Sequence, residues 1–98
     1  MELKKTAVAG TMESSDIMVT VEPREHGGIV LELTSSVMKQ YGRRIEQVIR
    51  ETAAELGVEH ALIRAVDKGA LDCTVRARAA AALFRAAGQE NHIWEVGK

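Results

Sequence analysis

The spacing of apolar residues changes once along this chain, and that change limits the folds open to it. Between residues 16 and 34, apolar and polar residues largely alternate, which is typical of strands with one buried face. Between residues 37 and 56, apolar residues recur every three or four positions, the spacing of one face of a helix. The pattern therefore predicts a small sheet combined with helices.

Four segments have the composition of strands: residues 6–12, 16–22, 29–34 and 58–66. Pro23 ends the second segment because proline cannot donate to a strand ladder. The glycines at positions 27 and 28 allow the chain to turn before the third segment. We expect two or three of the first three segments to form an antiparallel meander.

Two main helices are predicted. The first follows the helical spacing from Val37 to Leu56, and the second runs from about Leu71 to Ala87 and ends at Gly88. The buried stripe of the second helix is predicted to contain Leu71, Val75, Ala79, Ala82, Leu83 and Ala86. The resulting fold class is α+β: a small antiparallel sheet of three to four strands packed against two main helices, in the order β-β-β-α-β-α.

Length and apolar content favour one domain over residues 1–98. The apolar fraction is 46%, with one residue each of Phe, Trp and Tyr, so aliphatic residues and alanines must fill a modest core. We expect residues 1–5 and 89–98 to be partly flexible, with Trp94 docking on the domain.

Charge and cysteine usage exclude several classes of partner. Thirteen basic residues nearly balance fourteen acidic ones, so the chain lacks the positive surface that binds nucleic acids. No apolar stretch is long enough to span a membrane, and the amino terminus has no secretion signal. The one cysteine, Cys73, rules out an internal disulfide and indicates a reducing compartment. We therefore expect a cytoplasmic protein.

The sequence predicts no metal ligand and no catalytic residue. Three histidines, at positions 26, 60 and 92, are far apart in sequence and are interpreted as surface or turn residues. Cys73 is interpreted as a small packed residue, and Asp67 as a residue that shapes a turn or caps the second helix. No nucleophile is paired with a base, so we expect a carrier or binding module and not a self-sufficient enzyme.

Small residues on the second helix form a candidate partner surface. Arg78 and Arg85 lie near it and could contact an anionic group, although a solvated helix face is the alternative interpretation. The alanines of this surface are Ala77, Ala80, Ala81 and Ala87.

The stretch GTMESSDIMV, residues 10–19, is predicted to be a polar hairpin tip between the first two strands. A turn without chemistry explains it. A serine at an exposed tip is also well placed to carry a modification, because a tip can enter the active site of another protein. The pattern alone leaves both interpretations open for Ser14 and Ser15.

Three separated blocks resemble the acyl carrier proteins of citrate lyase, also called its gamma chains. They are AVAGTMESSDIMV, SSVMKQYG and DKGALDCTVRARAAAALFRAA, which start at residues 7, 35 and 67. The resemblance covers most of the chain and is weakest around Arg24 and in the carboxy-terminal tail.

The resemblance implies that Ser14 carries a prosthetic group, 2'-(5''-phosphoribosyl)-3'-dephospho-CoA, through a phosphodiester, with Ser15 the less favoured site. It implies that a prosthetic-group transferase attaches this arm. The thiol of the arm would bear an acetyl group, which the alpha subunit exchanges for citrate. The beta subunit would then cleave the citryl thioester into oxaloacetate and the acetyl thioester. This chain would be the non-catalytic carrier in citrate fermentation.

One departure from the family concerns the residue after the modified serine, which is commonly glycine and here is Ser15. Glu13 and Asp16 flank the pair, and their charges are expected to keep an anionic arm extended. Two alternatives remain at this stage: the acyl carrier subunit of malonate decarboxylase and a structural adaptor without a cofactor.

Overall fold

The computed structural model describes residues 1–89, which form four strands and two helices in the predicted order. The strands are β1 (Ala7–Ala9), β2 (Ile17–Pro23), β3 (Ile29–Ser35) and β4 (Ala61–Asp67). The helices are α1 (Met38–Glu55) and α2 (Asp72–Ala86). The predicted α+β class and element order are confirmed. None of the described helices is long and apolar enough to cross a membrane.

The strands form one sheet in the order β1-β2-β4-β3. β2 is antiparallel to both β1 and β4, whereas β3 is parallel to β4. The antiparallel meander is therefore confirmed for β1 and β2 and is wrong for β3. α1 carries the chain back along the sheet before β4 begins, so β4 runs in the same direction as β3.

The core lies between one face of the sheet and the two helices. Alternate residues of β2 and β4 point into it, as the period of two requires. The fully buried side chains of largest volume include Ile17, Val19, Val21, Val48, Ile49, Ile63, Val75 and Leu83. The predicted stripe of α2 is confirmed except at Leu71, which is 72% exposed. Leu71 has an extended backbone just before the first helical turn, so its side chain does not follow the stripe.

The amino-terminal segment, which was predicted to be partly flexible, makes specific contacts. The amino group of Met1 donates to the carbonyl of Gly57 at 3.0 Å, and the Lys4 N–H donates to the carbonyl of Ala86 at 2.8 Å. The predictions for Trp94 and for most of the carboxy-terminal tail lie outside the described residues.

The register of β2 and β4 places two loops at one end of the sheet. Ile17, the first residue of β2, is paired with Asp67, the last residue of β4. The loop that precedes β2 therefore lies beside the loop that follows β4. The predicted attachment site is in the first of these loops.

Candidate functional site

Ser14 and Ser15 lie in the loop between β1 and β2, and both are exposed. β1 ends at Ala9, three residues earlier than predicted, so the loop comprises residues 10–16, here called the serine turn. Its tip is a β-turn in which the Asp16 N–H donates to the carbonyl of Glu13 at 3.2 Å. The two serines are the central residues of that turn.

Two residues of the serine turn have a left-handed backbone. Gly10 has a φ of 90°, and a Cβ at this position would collide with the carbonyl oxygen of Ile17. Ser15 has a φ of 67° and is the one non-glycine residue with positive φ among residues 1–89. The third position of a β-turn with positive φ favours glycine, so Ser15 occupies a position at which glycine is physically preferred. Ser15 accepts a conformational cost there.

The carboxylate of Asp16 ties the serine turn to its surroundings. It accepts hydrogen bonds from the backbone N–H and the hydroxyl of Thr11, at 3.1 and 2.7 Å, and from the N–H of Ile17 at 2.7 Å. The guanidinium of Arg78, on α2, donates to both carboxylate oxygens at 3.0 and 2.9 Å. One buried side chain thus joins the start of the turn, the start of β2 and a helix.

The loop after β4 supports the serine turn from a second side. The Ser15 N–H donates to the carbonyl of Lys68, and the Lys68 N–H donates to the carbonyl of Asp16, both at 2.8 Å. Asp67 is buried and its carboxylate accepts hydrogen bonds from Ser35 Oγ at 2.8 Å, Gly69 N at 3.1 Å and Ala70 N at 3.0 Å. Asp67 therefore shapes this turn, as predicted, and holds the backbone that pairs with the serine turn.

The charges at the serine turn differ from those expected. Hydrogen bonds from Arg78 and then from Thr11 hold the pKa of Asp16 well below its ordinary value, so the carboxylate is ionised. Its charge is compensated by Arg78 and is largely buried, which weakens the expectation that Asp16 repels an anionic arm. Glu13 is the exposed carboxylate beside Ser14.

The described residues offer no group that would activate Ser14. Within residues 1–89, no side chain forms a hydrogen bond with the Ser14 hydroxyl, and the nearby Asp16 carboxylate is fully engaged. The same residues contain no group of three or more His, Cys, Asp or Glu side chains that could hold a metal ion.

The candidate partner surface on α2 is wrong at Ala87, which is buried at 3% exposure. Arg78 is bonded to Asp16, and its side chain remains 41% exposed. Arg85 donates to the carbonyl of Val8 at 2.8 Å. Arg78 connects α2 to the serine turn, and Arg85 connects it to β1. Replacing both arginines by acidic residues would therefore disturb the fold as well as any contact with a partner.

Cys73 is exposed, whereas a packed side chain was expected. It lies two positions before the buried Val75, about 200° around the helix axis, and so faces away from the core. The interpretation of His60 as a turn residue is confirmed, because its Nδ1 accepts the Gly28 N–H at 2.9 Å.

The Asp16–Arg78 contact was missed by sequence reasoning. The two residues are 62 positions apart, and nothing in a single sequence pairs one aspartate with one arginine over that separation. The sequence did offer one local indication. Asp16 directly precedes the apolar strand β2, and an aspartate that is buried with such a strand needs hydrogen-bond partners.

Comparison with known proteins identifies two groups of related chains. A family model described as "ACP: Malonate decarboxylase delta subunit (MdcD)" matches residues 4–86. The citrate lyase acyl carrier protein of Streptococcus equi subsp. equi (strain 4047) is 59% identical over 95 residues, which cover 97% of this chain and 93% of the relative. The protein of the same name from Streptococcus mutans serotype c (strain ATCC 700610 / UA159) is 56% identical over the same coverage.

A solved structure shares the fold. It is a chain in the crystal structure of a Pseudomonas malonate decarboxylase hetero-tetramer in complex with malonate, with a TM-score of 0.71. The alignment covers 85% of this chain and 84% of that chain at 24% identity. At this identity the likeness establishes the fold alone.

Proposed function

The chain belongs to the family of citrate lyase acyl carrier proteins, and from that premise we propose that it carries the acyl group of citrate lyase on an arm attached to Ser14. In this proposal the chain is one carrier domain, catalyses no bond cleavage itself and works in the cytoplasm. Its contribution is a tethered thioester that reaches successive active sites without dissociating, at a high effective concentration.

The observation that carries this proposal is the combination of exposure and order at Ser14. Ser14 is exposed at a turn whose backbone is held by Asp16 and by Lys68. A transferase needs access to the hydroxyl, and an arm that visits several sites needs a fixed origin. The serine turn supplies both.

We propose 2'-(5''-phosphoribosyl)-3'-dephospho-CoA as the arm, joined to Ser14 Oγ by a phosphodiester. The site is compatible with this anionic group, because the charge of Asp16 is compensated by Arg78 and Ser14 Oγ is exposed. When bound, the arm supplies a terminal thiol for acetyl and citryl thioesters. Glu13, the exposed carboxylate next to Ser14, disfavours folding of the phosphate back onto the tip.

The proposed partners are the alpha and beta subunits of citrate lyase and the transferase that attaches the arm. The transferase must supply the base that removes the Ser14 proton, since no described side chain of this chain is bonded to that hydroxyl. Ser15 is the less favoured attachment site because the resemblance to the family points to Ser14, and the backbone of Ser15 shapes the turn through its bond to Lys68 and its positive φ.

A carrier subunit of malonate decarboxylase is the second candidate function. The description of the matching family model favours it. Identity of 52–59% to citrate lyase acyl carrier proteins, against 24% to the chain in the decarboxylase structure, favours citrate lyase.

The test of the proposal is the intact mass of the chain purified from its native host grown on citrate. The mass should exceed the sequence mass by one phosphoribosyl dephospho-CoA group. The isolated loaded chain should leave citrate uncleaved until both partner subunits are added. An unmodified mass under these conditions, or citrate cleavage by the chain alone, would contradict the proposal.

A further inference from the structure

We propose that the ion pair between Arg78 and Asp16 is a positioning device, which sets the place of the Ser14 hydroxyl for attachment of the arm. The inference rests on the proposed function of Ser14. Arg78 acts through Asp16 and through the turn backbone, and it is a positioning residue. The chain would thus use one residue of α2 to prepare a loop for another enzyme.

The geometry of the Arg78–Asp16 ion pair fixes the orientation of the Asp16 carboxylate as well as its distance from the guanidinium. Arg78 donates through Nε and Nη2 to the two oxygens of one carboxylate, at 3.0 and 2.9 Å. Such a two-bond contact holds both planar groups in one relative orientation, which a lysine cannot do. The Asp16 side chain is 13% exposed and the Arg78 side chain 41%, so the contact is only partly open to water.

Asp16 transmits this constraint to both ends of the turn. Its carboxylate accepts bonds from the N–H and hydroxyl of Thr11, before the serines, and from the N–H of Ile17, after them. The Thr11 hydroxyl in turn accepts the N–H of Glu13 at 3.2 Å. The residues on each side of Ser14 and Ser15 are therefore tied to one carboxylate.

The serine turn needs an external constraint of this kind. Ser15 is held at a φ of 67°, a conformation that a residue with a side chain adopts only when its surroundings impose it. Loss of the Arg78 bonds would leave Asp16 to reorient, and the turn would relax toward conformations that cost less at Ser15. Ser14 would then no longer occupy a single position.

The test compares Arg78→Met with Arg78→Lys and with the control Arg76→Met. Arg76 lies on the same helix, and its guanidinium contacts Glu51 and Glu55, away from the turn. Each apo-protein is incubated with the transferase and the activated arm, and kcat and KM of loading are measured by intact mass. The temperature is kept well below each variant's unfolding midpoint, so that only folded protein is compared.

A second readout is amide hydrogen exchange in the apo-proteins, followed at Ser15 and Ile17. Arg78→Met should reduce kcat/KM of loading by about tenfold to a hundredfold, because small misplacements of a reacting group have effects of that size. Exchange should accelerate at both amides. Arg78→Lys should restore part of the loading, and Arg76→Met should match the wild type in both readouts.

Thr11→Val keeps the ion pair but removes the hydroxyl that links Asp16 to Glu13, and it should slow loading by a smaller factor. Arg78→Lys, which loses the two-bond contact, is the second test should Arg78→Met not fold. Wild-type loading rates in folded Arg78→Met or, failing that, in Arg78→Lys would overturn the inference. A wild-type chain that is not loaded at Ser14 would instead contradict the proposed function.

Discussion

Two turns of this chain are both polar segments in the sequence, but different contacts stabilise them in the structure. The serine turn, residues 10–16, precedes β2, and a second polar turn, residues 24–28, follows it; we call the latter the glycine turn. Side chains or backbone from α2 and from the loop after β4 hold the serine turn. The described contacts of the glycine turn include the Gly28 N–H with His60 Nδ1 and the Gly28 carbonyl with the Ala61 N–H.

The difference shows how an exposed loop can still be ordered. Positive φ is available to glycine at no steric cost, so the glycine turn needs few outside contacts. The serine turn places a serine in that region and keeps a carboxylate buried beneath it, and both features require partners. In the proposed function, these partners would give a tethered arm a fixed origin.

The largest difference in stability between the two turns is expected when one glycine in each turn is replaced by alanine. Gly10→Ala adds a Cβ that collides with the Ile17 carbonyl, at a φ of 90°. Gly28→Ala meets nothing within 4 Å and has only the cost of its φ of 73°. In urea denaturation, Gly10→Ala should lower the free energy of unfolding by about 4 kcal/mol and Gly28→Ala by about 1 kcal/mol. Equal losses would show that the two turns are held alike.

Acid should act on the serine turn through Asp16. Its pKa is lower in the folded than in the unfolded chain, so its contribution to stability is present above pH 4 or so and is lost as the pH falls toward the folded value. Asp16→Asn should therefore lower the free energy of unfolding by about 2 kcal/mol at pH 7. The difference in free energy of unfolding between Asp16→Asn and the wild type should become smaller below about pH 4. A difference that stays constant with pH would show that the ionised Asp16 carboxylate does not stabilise the fold.

The smallest expected change in the free energy of unfolding comes from substitution of Ser15, which has a left-handed backbone. Ser15→Gly should raise the free energy of unfolding by about 0.5 kcal/mol, because relief of the left-handed strain exceeds the added entropy of the unfolded chain. Ser14→Gly is the matched control, since Ser14 has no positive φ, and it should lower the same free energy by about 0.5 kcal/mol. Destabilisation by both glycines would mean that Ser15 is not strained.

Sequence periodicity predicted the elements but not all of their neighbours. The alternation in β2 and the helical spacing in α1 each follow from burial of one face, which a single chain records directly. The parallel pairing of β3 with β4 depends on where the helix returns the chain, which periodicity does not encode. Leu71 and Cys73 were misplaced because the start of α2 decides which side chains join its buried stripe.

At the site, the sequence located the exposed serines, because polar residues between two strands form a turn. The supports of that turn come from α2 and from the loop after β4, far along the chain, and were not predictable from local pattern. Arg78 and Arg85 of α2 were consequently interpreted either as part of a partner surface or as a solvated helix face.

The central claim is that Ser14 is the attachment point and that Ser15 shapes the turn. It is tested by peptide mapping of the arm in the wild-type chain and in Ser14→Ala and Ser15→Ala, each expressed with the attachment enzymes. We expect the adduct on Ser14 in the wild type, no adduct in Ser14→Ala and a retained adduct in Ser15→Ala. Both variants should stay folded, since exposed substitutions change stability by about 0.5 kcal/mol or less. An adduct on Ser15 in the wild type, or full loading of Ser14→Ala, would contradict the claim.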